Sequence, residues 1–173
     1  ALRRYWARPE DAAAFFAAPV PPDLPGPDYT SRVEIHGDNS TMIHLALHGH
    51  LEALKLARTR GCPWDARLCV RAAMTGHMAI LQWAYANGCP RSRYTCEAAA
   101  DGGCLEALQW LRAQDPPCPW TASTCYRAAR HGHLAILQWA RAQDPPGPWS
   151  KPDVCAYAAK DGHLDVLKWA RAV

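Results

Sequence analysis

A chain of 173 residues is long enough for one ordinary domain or a short array of repeats, and it can bury a sizeable core. With 49% hydrophobic and 20% charged residues, its composition is that of neither a disordered chain nor a membrane protein. The net charge of +3, from 19 basic and 16 acidic residues, is too slight and too evenly spread to attract nucleic acid or a membrane surface by itself.

The chain opens on Ala1-Leu2-Arg3-Arg4-Tyr5-Trp6, which lacks the apolar core of a signal peptide, and no stretch approaches the roughly 18 to 20 apolar residues that cross a bilayer. The expectation is an intracellular protein of a reducing compartment, cytoplasm or nucleus. The missing initiator Met, and a helical pattern that runs up to Val173, are what a segment of a longer chain would show. Residues 1–30 hold six of the 15 prolines and match nothing downstream, so they read as an N-terminal cap or linker. A short helix around Pro9 to Phe16 is expected there, with Trp6, Phe15 and Phe16 covering the exposed face of the first repeat.

From Ser31 onward the chain repeats itself. Five glycines anchor the alignment: His48-Gly49-His50-Leu51, Thr75-Gly76-His77-Met78, Gly102-Gly103-Cys104-Leu105, His131-Gly132-His133-Leu134 and Asp161-Gly162-His163-Leu164. Their spacings are 27, 27, 29 and 30 residues. A sulfur-bearing residue stands seven positions before each (Met42, Cys69, Cys96, Cys125, Cys155), and small pairs such as Ala72-Ala73 and Ala128-Ala129 stand just before four of them. The units run over about 31–62, 63–89, 90–118, 119–147 and 148–173.

Each unit reads as two helices. The glycine ends the first, because only Gly enters the left-handed conformation of a helix stop without strain. Asp65, Ser92, Thr121 and Ser150 are placed to cap the first helices, since their side chains accept hydrogen bonds from orphaned backbone amides. The second helix carries Leu54, Leu81, Leu108, Leu137 and Leu167 five residues past the glycine, with Leu51, Met78, Leu105, Leu134 and Leu164 three before those. That apolar arc is wide, as in a helix sandwiched between neighbouring repeats. Gly61 and Gly88 close two of the second helices; Asp115-Pro116-Pro117 and Asp144-Pro145-Pro146 close two others and lengthen the spacing.

The Ala-Ala-x-x-Gly-His-Leu core, clearest at Ala128-Ala129-Arg130-His131-Gly132-His133-Leu134, resembles the ankyrin repeat, and the resemblance covers Ser31 to Val173. The chain departs from that family in lacking the Thr-Pro-Leu-His start and in having a period shorter than the usual 33 residues. With Cys62-Pro63-Trp64, Cys89-Pro90-Arg91, Cys118-Pro119-Trp120 and Gly147-Pro148-Trp149 leading into the units, it is similar to the Trp-rich divergent ankyrin modules of giant DNA viruses and some protists. The resemblance implies an all-α, right-stacked helix-turn-helix solenoid of about five ankyrin-like repeats with shortened hairpin loops.

The family is one of protein-binding scaffolds, and its recognition positions are the two residues before the helix-ending glycine. Here these are Leu47 and His48, Met74 and Thr75, Asp101 and Gly102, Arg130 and His131, and Lys160 and Asp161. They differ between otherwise alike repeats, so packing does not dictate them. Trp64, Arg91, Trp120 and Trp149 extend the expected partner-binding strip, against the plainer reading that the tryptophans pack between loops. The partner implied is another protein, bound by a monomer without catalysis, cofactor, metal or membrane. The alternative is a purely structural repeat protein, or nucleic acid held by Arg91, Arg93, Arg127, Arg130 and Lys160 with Tyr94 and Tyr126; Glu97, Asp101 and Asp161 dilute that strip.

The cysteines and histidines follow the repeat. Cys69, Cys96, Cys125 and Cys155 share one core position, Cys62, Cys89 and Cys118 share one loop position, and Cys104 replaces a histidine. Equivalent positions in stacked helices lie roughly 8 to 10 Å apart, too far for a disulfide or a zinc site, so buried, reduced thiols are expected. His50, His77, His133 and His163 recur at one position, which points to a structural hydrogen bond between turns. No nucleophile, base and acid stand outside the repeat pattern, and no phosphate-binding loop is present.

Overall fold

The computed structural model describes residues 39–173. The expected cap at 1–30, with its helix around Pro9 to Phe16 and the residues Trp6, Phe15 and Phe16, lies outside the described residues, as does the start of the first repeat. Among the described residues there are ten helices and no strand. They form five pairs: α1 (Asn39–Leu47) with α2 (Leu51–Thr59), α3 (Ala66–Thr75) with α4 (Met78–Ala86), and α5 (Tyr94–Asp101) with α6 (Leu105–Arg112). The last two are α7 (Ala122–Arg130) with α8 (Leu134–Arg141) and α9 (Lys151–Lys160) with α10 (Leu164–Ala172). Each first helix packs on the first helix of the next pair, and each second helix packs on its own first helix.

The anchoring glycines make the turn within each pair. Gly76 sits at φ +72°, a conformation that L side chains rarely adopt, and the next amide, His77 N–H, reaches back 2.9 Å to the Ala72 carbonyl. The same six-to-one bond recurs from His50, Cys104, His133 and His163. The helix starts vary more than the sequence suggests. Asp65 Oδ1 accepts the Arg67 amide at 2.8 Å. Ser92 Oγ accepts the Tyr94 amide at 3.2 Å, but it stands one residue ahead of the cap position, which Arg93 occupies. The Thr121 amide donates to Thr124 Oγ1 at 3.4 Å. Ser150 occupies the cap position but makes no side-chain cap bond, and Pro152 in the first turn removes one of the donors it would satisfy.

The core lies between and along the pairs. Leu54, Leu81, Leu108 and Leu137 are fully buried, as are Ala72-Ala73, Ala99-Ala100 and Ala128-Ala129 on the first helices, where small side chains let neighbouring helices approach closely. Each buried leucine contributes roughly 1.5 to 3 kcal/mol by leaving water. In the last pair the equivalent surface is open: Leu164 is exposed, and Leu167 and Cys155 are only partly covered.

The linkers of different length return to one geometry. The amides of Cys62, Cys89, Cys118 and Gly147 donate to the carbonyls of Ala57, Ala84, Leu111 and Ala140 at 3.1, 2.9, 3.0 and 2.8 Å. Those four acceptors stand at one repeat position, eight residues past each glycine. The two extra residues of each Asp-Pro-Pro linker therefore loop outward without displacing the next pair.

Candidate partner-binding surface

The seam between neighbouring pairs is held by one recurring bond. His77 Nε2 lies 3.1 Å from the Leu47 carbonyl, His133 Nε2 lies 3.1 Å from that of Asp101, and His163 Nε2 lies 2.8 Å from that of Arg130. Cys104 stands in for the histidine and places Sγ 3.5 Å from the Met74 carbonyl. The expected histidine bond is present, and it joins consecutive pairs. Each acceptor is the residue two before the glycine, so the lock fixes the backbone at the positions where the side chains vary.

The imidazole also lies over the glycine it serves. A Cβ on Gly132 would come within 2.5 Å of His163 Nδ1, and one on Gly103 within 2.6 Å of His133 Cε1. Glycine is thus required twice at these turns, by its dihedral angles and by the ring above it.

Around this lock, His48, Arg130, His131, Lys160 and Asp161 are exposed, and Leu47, Met74, Thr75 and Asp101 are half-buried. The charged members pair across the seams. Asp101 Oδ1 is 3.2 Å from both Arg127 NH1 and His131 Nε2, and Arg130 Nε is 3.3 Å from Asp161 Oδ2. Behind them the buried Glu97 takes Arg127 Nε at 3.4 Å and the Thr121 hydroxyl at 3.2 Å, which satisfies a carboxylate that burial alone would penalise. The acids expected only to dilute a basic strip therefore neutralise Arg127 and Arg130 individually. Exposed pairs of this kind are worth at most about 1 kcal/mol, so they can open to a partner at little cost.

Histidines gather at the α1 end. His44 and His48 rings lie 4.4 Å apart, and His48 and His50 stack at 6.1 Å. Burial, then the neighbouring His48, hold the His44 pKa below its ordinary value; burial, then His77, do the same for His50.

Two expectations need correction. Gly102 is no contact-making position: a Cβ there would fall 1.7 Å from the Met74 carbonyl, so the backbone itself fills the space. The loop residues Trp64, Arg91, Trp120 and Trp149 do not join the helix-end pairs but pack on the second helices. Trp64 is clasped between the Arg58 guanidinium at 4.5 Å and the Trp83 ring at 5.3 Å. Trp120 lies between Arg112 and Trp139, and Trp149 between Arg141 and Trp169, at similar distances. One seam inverts the pairing: Arg91 lies over Tyr85, whose ring meets Trp110 edge-on. These are inter-repeat clasps, and Arg112 NH1 adds a 2.7 Å bond to the Cys118 carbonyl.

Among the described residues no group of three or more His, Cys, Asp or Glu is arranged to hold a metal ion, and no helix is long and apolar enough to cross a membrane. No protein-family model matches the chain, and no curated protein matches it by sequence.

Proposed function

We propose that this chain is an ankyrin-type solenoid of about five right-stacked repeats that binds another protein along the ends of its first helices, as a monomer and without catalysis. One observation carries the reading: the backbone lock is repeated at four seams, while the side chains displayed beside it change at every repeat. A constant frame with variable display is the arrangement recognition needs, because surface identity can change without disturbing the stack. The graded series supports a partner that is apolar or neutral toward Leu47, Met74 and Thr75 and charged toward Arg130, His131, Lys160 and Asp161.

The test is capture of a partner by the whole chain and by a variant carrying Arg130→Ala and His131→Ala. The expected result is a bound protein that the variant loses at least tenfold, with the melting temperature nearly unchanged. Leu137→Ala should do the reverse, costing about 2 to 5 kcal/mol of stability through its cavity. Equal binding by the double variant, or captured nucleic acid in place of protein, would overturn the assignment of this strip.

A further inference from the structure

The variable helix-end residues are the rim of a longer face. On a helix, positions three to four and seven to eight residues apart point the same way. Counting back from the helix ends therefore brings Arg71 on α3, Tyr94 on α5, Arg127 on α7 and Tyr157 on α9 onto the side that displays them, and all four are exposed. Tyr94 and Tyr157 are 52% and 40% exposed, and Tyr157 stacks on Tyr126 of the preceding pair at 5.6 Å. On α5 the position that matches Arg71 and Arg127 is Ala98, nearly covered, and Gly102 follows it without a side chain. The face is therefore bare in its middle.

Its charges do not cancel. Each carboxylate is engaged within the protein: Asp65 with Arg67 at 2.8 Å, Glu97 and Asp101 with Arg127, Asp161 with Arg130, and Asp153 with the Tyr126 hydroxyl at 3.2 Å. Three cations of the face meet no carboxylate among the described residues. Arg71 reaches only Met74, with Nη1 3.9 Å from its sulfur. Arg93 lies over the ring of its neighbour Tyr94, 5.0 Å from its centre. Lys160 is exposed beside Asp161, which Arg130 already holds. Lys151 is not a fourth, because it faces α10 and donates to the Arg171 carbonyl at 3.2 Å.

We propose that the partner is held through an extended acidic segment lying across α3, α5, α7 and α9. Its carboxylates meet Arg71 and Arg93 at one end and Lys160 at the other, and its neutral middle crosses Ala98 and Gly102 to reach Tyr157. This rests on the reading of the first-helix ends as the surface that binds protein. Neighbouring packed helices lie roughly 8 to 10 Å apart, so three spacings are spanned by about seven to nine residues of extended chain. A nucleic-acid strand fits less well. It carries a phosphate at about every 3.4 Å and would be pressed onto Asp101, Asp153 and Asp161, whereas a peptide places acids only where the cations stand.

The probe is a library of random peptides of about twelve residues, displayed on phage and selected on the whole chain. Selection should return sequences enriched in Asp and Glu, and depleted of Lys and Arg, relative to the unselected library. A synthetic peptide of the selected sequence should bind the variant carrying Arg71→Glu and Arg93→Glu at least about tenfold more weakly, and Lys160→Glu about threefold more weakly. These side chains are exposed, so circular dichroism should show both variants folded with melting temperatures nearly unchanged. Peptides without acidic enrichment, or undiminished binding by the charge-reversed variants, would overturn the acidic segment. The protein-binding reading would survive that result if Arg130→Ala with His131→Ala still released the peptides. No selected peptide at all, or none that this double variant releases, would overturn both. Tighter binding of oligothymidine than of the selected peptide would assign the face to nucleic acid.

Discussion

At the seam between the fourth and fifth helix pairs, His163 spans to the Arg130 carbonyl, and Arg141 lies against Trp149. At the seam between the second and third pairs, Cys104 makes the equivalent contact, Gly102 stands where other repeats carry a side chain, and Arg91 lies over Tyr85. A thiol is much shorter than an imidazole. With Cys104 in the lock the two backbones close in, until a Cβ at position 102 would overlap the Met74 carbonyl. The clasp changes in the same seam, with cation and ring exchanging places. A seam therefore changes as a set: Cys104, Gly102, Tyr85 and Arg91 belong together, and any one placed in another seam would meet the wrong neighbour.

The closeness of the Cys104 seam makes it the most sensitive to substitution. Gly102→Ala should cost more than about 3 kcal/mol in urea melting, because the clash is with backbone that cannot rotate away. His131→Ala, at the corresponding position of the fourth repeat, should cost less than about 1 kcal/mol. Equal losses at the two positions would erase the distinction between the seams.

A second pair of changes separates the turn from the ring above it. Gly132→Ala and Gly162→Ala both force a side chain into a left-handed conformation, at about 1 to 2 kcal/mol. Only the first also meets an imidazole, since nothing lies within 4 Å of a Cβ at Gly162. Gly132→Ala should therefore lose about 1 to 2 kcal/mol more than Gly162→Ala. Identical melting curves would assign the whole cost to the dihedral angle.

A weaker effect is expected at the clasp. Tyr85→Arg and Arg91→Trp should each lose about 1 kcal/mol, and the double change, which recreates the arrangement of the other seams, should recover part of it. A double-mutant cycle showing no coupling would mean that the two residues act independently.

The helix pairs, their glycine stops and the buried leucines were legible in the sequence because each depends on neighbours within a few residues. The seams were legible only in part: the recurring histidines pointed to a bond between turns, but not to its acceptors, and the ion pairs were hidden because their partners lie far apart in the chain, as with Arg127 and Asp101 or His163 and Arg130. The cysteines illustrate the point. Comparing equivalent positions places them far apart, whereas Cys96 and Cys118 belong to different registers and meet because the linker folds back onto its own helix pair. Similarly, the alternation of Arg58, Tyr85, Arg112 and Arg141 at one repeat position, read beside Trp64, Arg91, Trp120 and Trp149, carries the signal of the clasp. The adjacent Gly102-Gly103 holds a trace of the tighter seam. Neither can be interpreted until the pairs are set side by side.

The returning linkers have a consequence for how such a chain can change. Because the amides of Cys118 and Gly147 recover the bond made by Cys62 and Cys89, the length between Leu111 and Cys118, or between Ala140 and Gly147, is uncoupled from the spacing of the helices. The two Asp-Pro-Pro segments are therefore places where the chain can accept inserted residues as outward protrusions, adding new surface to one flank while the stacked frame keeps its pitch.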